Sequence, residues 1–203
     1  MIPTVLGVAL RGVIYRFIIK SDGIFGIEEN VQIAHSANLR LGKNVFIGRN
    51  SYIGASDGGI VIGNNVIILD KSYINVFNFN NESNGESKIV LNDNVVLGLG
   101  STILGHCGVT IGKNSMFGPN TVIMTAPHGK VNKGTIYREA ELVRSGRSTT
   151  IGENVLIGAN VSILPGISIG DNAVIDAGSV VTRDVPPDHH FFGNPARPLK
   201  LIT

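Results

Sequence analysis

The chain is poor in several residue types. It has one cysteine, Cys107, no tryptophan, and only 6% aromatic residues in 203. A single cysteine excludes an internal disulfide framework and a cysteine-only zinc cluster. With so few rings, the core must be built on aliphatic side chains. Charge is scarce as well: 16% of residues are charged, and 17 basic against 15 acidic leave a net of +2. That surplus cannot build a basic face, so no nucleic-acid partner is expected. Hydrophobic residues reach 43%, which excludes disorder for most of the chain. Long apolar runs are missing too. Ile2 to Leu10 is apolar, but Arg11, Arg16 and Lys20 stop the run from growing longer, whereas a spanning helix needs ~20 mostly apolar residues. A signal peptide would carry its charges before the apolar run. The segment reads as a short helix capping the domain, with an interfacial helix touching a membrane surface as the alternative. The expected location is cytoplasmic, peripheral to the membrane under that alternative.

Glycine, in contrast, is abundant, 26 of 203 residues, roughly twice the usual share. The glycines follow aliphatic residues at a spacing of six. The clearest run is Ile151-Gly152, Ile157-Gly158, Ile163-Leu164, Ile169-Gly170, Ile175-Asp176 and Val181-Thr182. Ile111-Gly112 with Phe117-Gly118, and Leu41-Gly42 with Ile47-Gly48, repeat it. Asn or Asp recurs three residues after the aliphatic, as at Asn44, Asn114, Asn154 and Asn172. A period of six is not helical. Each unit holds a short strand with one inward aliphatic, then a turn in which Asn or Gly adopts the left-handed conformation cheaply. Three units close a triangular coil, and coils stack at strand spacing. The expected class is all-β, a parallel β-helix of hexapeptide repeats with a short N-terminal helix.

The breaks in the period locate an edge. Let Ile111, Phe117 and Ile123 mark faces A, B and C. Register then puts Ile33, Ile53, Ile74, Ile103, Ile123, Ile163 and Val181 on face C. From Ile33 to Leu41 is 8 positions, from Ile53 to Ile62 is 9, from Ile74 to Leu91 is 17, and from Ile123 to Ile151 is 28. Every insertion falls at the corner after face C, and loops on a rigid scaffold commonly carry function. His35, His106 and His128 lie at this corner. His106 and His128 follow neighbouring face-C residues, whereas His35 is three coils from His106, or ~14 Å. That separation rules out a three-histidine metal site within one subunit, and no metal is expected.

These repeats resemble the hexapeptide-repeat acyltransferases, and in particular the maltose and galactoside O-acetyltransferase branch, over residues ~31–200. The left hand of the helix comes from that resemblance; spacing alone does not give it. The match runs through Ile111-Gly112-Lys113-Asn114 and Gly118-Pro119-Asn120 to Thr125-Ala126-Pro127-His128. It implies that His128 is the catalytic base. A neutral imidazole can take the proton of an acceptor hydroxyl as attack on a thioester begins, with backbone N–H groups stabilising the oxyanion. No protein nucleophile is required, and Cys107 reads as a small buried or turn residue.

Gly193-Asn194-Pro195-Ala196-Arg197-Pro198, after Val185-Pro186-Pro187, resembles the terminal segment of acetyl-CoA-dependent members. The resemblance implies acetyl-CoA as co-substrate, with pantetheine along the turns of Ala159 and Ala177, then Thr182 and Arg183. Arg183, Arg197 and Lys200 would meet the nucleotide phosphates. It also implies a homotrimer with sites at subunit boundaries. Some positions depart from the branch: Gly98 stands where it carries an acceptor-binding Asn, His106 where it carries an acid, and Leu156 where many members carry an aromatic. His106 is therefore expected to contact the acceptor, to orient His128, or to act as base itself. The loops Asn75 to Ser87 and Gly129 to Ser148, with Asn78, Asn80, Asn81, Asn84, Tyr137, Arg138, Glu139 and Arg144, suit a polar acceptor such as a sugar or glycan precursor. His189 and His190 read as structural or inter-subunit residues.

The expected organisation is a capping segment over 1–30, a β-helix over 31–187 with insertions at 75–88 and 127–150, and a CoA-binding tail over 188–203. The favoured activity is O-acetylation of a sugar hydroxyl. N-acetylation of a nucleotide-linked amino sugar is the alternative, and a non-catalytic or metal-binding β-helix the remote one.

Overall fold

The computed structural model describes residues 5–56, 58–76, 87–125, 133–134, 136 and 147–201. One α-helix, Val5–Tyr15, precedes strands of two to five residues. As far as the strand Val180–Val181, sheet neighbours are strands three apart in sequence, and these pairings are parallel. Three sheets of 7, 9 and 7 strands result, the faces of a prism. The fold is a left-handed parallel β-helix.

The inward ladders follow the six-residue period. Face A stacks Leu41, Ile62, Leu91, Ile111, Ile151 and Ile169. Face B stacks Ile27, Ile47, Ile68, Leu97, Phe117, Ile157, Ile175 and Phe191. Face C stacks the seven residues assigned to it from spacing, Ile33 to Val181. All except Ile33 are buried, and Ile33 packs on the same core. Each sealed Ile or Leu stabilises the fold by about 1.5–3 kcal/mol.

Asparagines turn the corners. Asn44, Asn65, Asn94 and Asn114 sit at φ between 55° and 60°, at the A–B corner. Their amides form a ladder: Asn44 Nδ2 donates to Asn65 Oδ1 at 3.1 Å, Asn65 to Asn94 at 3.0 Å, and Asn94 to Asn114 at 2.8 Å. The same residue type thus supplies the left-handed backbone and the bond between coils.

The coil begins earlier than 31. Lys20–Ser21 pairs with Arg40–Leu41, and Phe25–Ile27 pairs with Val45–Ile47. Ser21 stands in register with Leu41, and its polarity hides the first unit from a search for aliphatics. The helix closes this open end. Gly12 lies so near the Phe25 carbonyl that a Cβ would be 2.4 Å from its oxygen. Arg11 Nε donates to Ile27 O at 2.8 Å. At the other end the tail is part of the prism: His189–Phe192 joins sheet B beside Val174–Ile175, and Arg197–Leu201 returns antiparallel to it. Both long excursions leave face C and return on face A, from Val76 to Ile89 and from Met124 to Thr149.

Candidate active site

The corner between faces C and A holds the turn Gly105-His106-Cys107-Gly108. Its neighbours pin it on both sides. From the preceding coil, Asn75 O accepts Gly105 N–H at 2.9 Å. The Ser87 hydroxyl donates to His106 O at 2.7 Å. From the following coil, Thr125 Oγ1 accepts Cys107 N–H at 2.9 Å and donates to Leu104 O at 3.0 Å. Thr125 is fully buried. Its hydroxyl therefore joins the turn that carries His106 to the point where the next excursion departs, three residues before His128. His106 itself is half-buried. His128 lies outside the described residues, as do Asn78, Asn80, Asn81, Asn84, Tyr137, Arg138, Glu139 and Arg144. Cys107 is buried, as a small turn residue should be.

Beside this turn, the outer surface of face C is aromatic and polar. Tyr52 and Tyr73 stack with ring centroids 4.9 Å apart. Asn75 Nδ2 donates to the Tyr73 hydroxyl at 2.8 Å, and Asn75 is buried. It ends up as a strand residue opposite Leu104, not as the start of a loop. His35 is exposed in a left-handed turn, three coils away along face C from Ile33 to Ile103. Among the described residues, no three His, Cys, Asp or Glu side chains converge.

The residues assigned to the donor lie elsewhere. Ala159 and Ala177 occupy the corner between faces B and C, at the opposite end of the face-C strands. The stack is tight here: a Cβ on Gly118 would be 2.5 Å from Ala159 N, and one on Gly158 would be 2.4 Å from Ala177 N. Four coils earlier, Arg49 N–H at the same corner is taken by Asp70 Oδ1 at 3.1 Å. Ala177 supplies no such acceptor to Ala159, and neither alanine donates its N–H to another described residue. These turns are small, and their donors are open to a ligand that lies along them. Gly193-Asn194-Pro195-Ala196 stacks on the same corner: Ser179 Oγ accepts Gly193 N–H at 3.0 Å, and Ala196 N–H donates to Val180 O at 2.8 Å. Arg197 follows directly and is exposed.

Thr182 and Arg183, in contrast, are exposed at the C–A corner of the last coil. Lys200 pairs with His190 near the A–B end of sheet B. Arg183 and Arg197 therefore sit toward different corners of the terminal coil. Sequence reasoning also missed an ion pair here. Arg147, where the long excursion returns, meets Asp184 at 2.9 Å and Ser168 Oγ at 2.7 Å. The Ser168 N–H, and then Arg147, hold the Asp184 carboxyl below its ordinary range against some desolvation. His190 Nε2 bonds Asp176 Oδ1 at 2.7 Å beside Ala177, and His189 Nδ1 bonds Pro187 O at 2.7 Å. His190 thus ties the tail to the preceding coil, whereas the His189 bond is local.

Two departures from the acetyltransferase pattern have structural counterparts. A Cβ on Gly98 would lie 2.5 Å from the Gly118 carbonyl carbon, so this stack has no room for Asn. Leu156 is 47% exposed on the outside of face B, in register with Met116 and Val174.

Comparison with known proteins agrees with this architecture. The galactoside O-acetyltransferase of Escherichia coli is 38% identical over 121 residues, covering 58% of this chain and 56% of that protein. A maltose O-acetyltransferase structure from Clostridium difficile 630 superposes with a TM-score of 0.52 at 29% identity, over 95% of this chain and 75% of that one. An N-acyltransferase of Bacillus cereus, in complex with dTDP-4-amino-4,6-dideoxyglucose and coenzyme A, superposes with a TM-score of 0.66 over 95% and 89%. At 15% identity it bears on the fold alone. The chain spans about half the length of the curated relatives that it matches. The family model "Hexapeptide repeat of succinyl-transferase" matches residues 38–69, 88–125 and 148–183, just over half of the chain, and the chain belongs to the hexapeptide-repeat family.

Proposed function

We propose that the protein is an acetyl-CoA-dependent O-acetyltransferase acting on a hydroxyl of a sugar or glycan precursor. The observation that carries this reading is the C–A corner. Thr125, three residues before His128 in the sequence, binds the backbone of the His106 turn on the adjacent coil. The Tyr- and Asn-lined surface beside the His106 turn suits a polar acceptor, and the six-residue period is the ground for expecting His128 one coil beyond His106. His128 takes the hydroxyl proton as the oxygen attacks the thioester carbonyl. The carbon–sulfur bond breaks, and the imidazolium returns the proton to the leaving thiolate. His106 contacts the acceptor. The similarity to galactoside and maltose O-acetyltransferases supports the same chemistry.

The donor column and the histidine corner lie at opposite ends of the face-C strands. In a homotrimer the B–C corner of one protomer can border the C–A corner of the next. The groove between two prisms then holds the donor thioester against the base, with Arg197 and Arg183 at its end for the phosphates. A monomer mass by light scattering at micromolar concentration would exclude this assembly.

The test is acetyl-CoA turnover against a panel of hydroxyl and amino sugars. His128→Ala should lower kcat by ~10²–10⁴ on the best acceptor while acetyl-CoA affinity stays within a factor of two or so. His106→Ala should chiefly raise KM for the acceptor. Full turnover in His128→Ala with loss in His106→Ala would move the base by one coil. Preference for amino sugars would replace O- with N-acetylation.

A further inference from the structure

The N-terminal helix turns its small residues, with Arg11 and Tyr15, toward the protein. Gly7 and Gly12 are buried, and Arg11 turns into the protein to bond Ile27 O and to approach Glu28 at 3.9 Å. Leu6, Leu10, Val13, Ile14 and Phe17 recur at helical spacing on the other side, and all are exposed. Phe17 is 86% and Leu6 70% exposed. Ile18 and Ile24 extend the patch. An open cleft lined by Val8, Ala9, Ile24, Phe25 and Phe46 continues it, with Asn44 and Glu28, the partner of Arg11, also on its wall. A contiguous apolar surface of this kind marks a face that is covered in use.

We propose that this face docks on an anionic lipid bilayer. Charge selects the occupant. No acidic residue precedes Asp22, and the exposed Arg16 and Lys20 border the apolar stripe. Asp22 is already paired with Arg40 at 3.0 Å. A second copy of the chain set face to face would therefore bring cations together with no free carboxylate from either helix to meet them. A lipid surface offers hydrocarbon for the stripe and phosphate for the cations. Helix length agrees: 11 residues make ~16 Å, enough to lie in the interface and too short to cross it. Position agrees as well, because the helix packs on the first coil, three coils before the His106 turn. The proposal does not depend on the acetyl-transfer reading.

The test uses the full chain and vesicles of phosphatidylcholine, with and without phosphatidylglycerol. The chain should co-sediment with the anionic vesicles, binding roughly thirty-fold more tightly than to neutral ones for two cations at the surface. Arg16→Glu with Lys20→Glu should abolish that preference. Leu10→Ser with Phe17→Ser should abolish binding without lowering the thermal midpoint, since both side chains are exposed. The chain has no tryptophan, so Phe17→Trp gives a single probe whose emission should shift to the blue on anionic vesicles. Unshifted emission, with protein left in the supernatant at both compositions, would overturn the proposal. So would a doubling of the mass of the assembly, without lipid, that Leu10→Ser with Phe17→Ser removes, because the face would then belong to a second copy.

Discussion

Thr125→Val isolates one hydroxyl at the base of the candidate site. Valine keeps the shape of threonine, so no cavity opens. It removes the donor to Leu104 O and the acceptor of Cys107 N–H. Leu104 O keeps a second bond, from Thr125 N–H at 3.1 Å. Cys107 N–H has no second acceptor among the described residues and sits where water hardly reaches, since Cys107 is only 9% exposed. Stranding one buried N–H and losing one hydroxyl bond should cost about 2–3 kcal/mol. In a chain of this size that lowers Tm by ~5–10 °C. Thr125→Ser keeps the hydroxyl and loses one buried methyl, about 1 kcal/mol, or ~2–4 °C. The expected order is wild type, then Ser, then Val, by calorimetry at one protein concentration. On the acetyl-transfer reading, Val should also lower kcat well below its own Tm, and Ser should restore it. A valine variant as stable as wild type, with a less stable serine variant, would refute the reasoning: the methyl would then matter and the hydroxyl would not.

The remaining predictions concern the turns, the carboxylates and the donor. Asn65→Ala should cost about 2 kcal/mol from a left-handed backbone and two lost amide bonds, and Asn65→Gly about half of that because only the bonds go; equal losses in denaturant midpoint would sink the division. Asp93 is held below its ordinary carboxyl range by Asn64 N–H first and the Asn64 side chain second, and Asp184 by Ser168 N–H first. A carboxyl whose folded value is lowered stabilises above the unfolded value, about 4, and that contribution is lost as pH falls through the folded value. Asp93→Asn and Asp184→Asn should therefore be less stable than wild type at neutral pH, with the gap closing below about pH 4; a gap unchanged at pH 3 would contradict the assignment. Arg183→Ala or Arg197→Ala should raise KM for acetyl-CoA by roughly ten- to a hundred-fold with kcat nearly kept; unchanged acetyl-CoA affinity in both would remove them from the donor site.

The prism was legible in the sequence because its information is repeated. Each coil restates the inward slot, so Ile33, Ile53, Ile74, Ile103, Ile123, Ile163 and Val181 could be placed on one face from spacing alone, and the insertions could be placed on one corner. Where a coil breaks the pattern, legibility ends. Ser21 fills an inward register position with a hydroxyl, and the first coil was lost with it. The helix before it was visible as an apolar stripe with cations. Which side of that stripe faces the protein depends on Gly12 reaching the Phe25 carbonyl, a contact between residues 13 apart in the chain.

The site was harder to read for a related reason. Periodicity fixes a residue's face, coil and corner, but it is silent on bonds between side chains of neighbouring coils. Thr125, Ser87 and the pair of Arg147 with Asp184 all act across coils, at separations set by the lengths of the insertions. The corner, by contrast, could have been read from register alone. Ala159 and Ala177 precede their face-C residues, whereas His106 follows its own. Donor turns and histidine turns are therefore separated by the length of a face-C strand plus its corners, roughly 15–20 Å at strand rise. A thioester must come within ~3.5 Å of the attacking oxygen. On the proposed assembly, neighbouring protomers bring the two kinds of turn together, and the reacting groups come from different protomers. An Ala177→Trp protomer and a His128→Ala protomer, each inactive as a homotrimer, should then recover activity when mixed and reassembled. In mixed trimers some interfaces carry an intact donor column from one protomer and an intact histidine from the other. Mixtures that stay inactive after confirmed exchange of subunits would place both halves of the site within one chain.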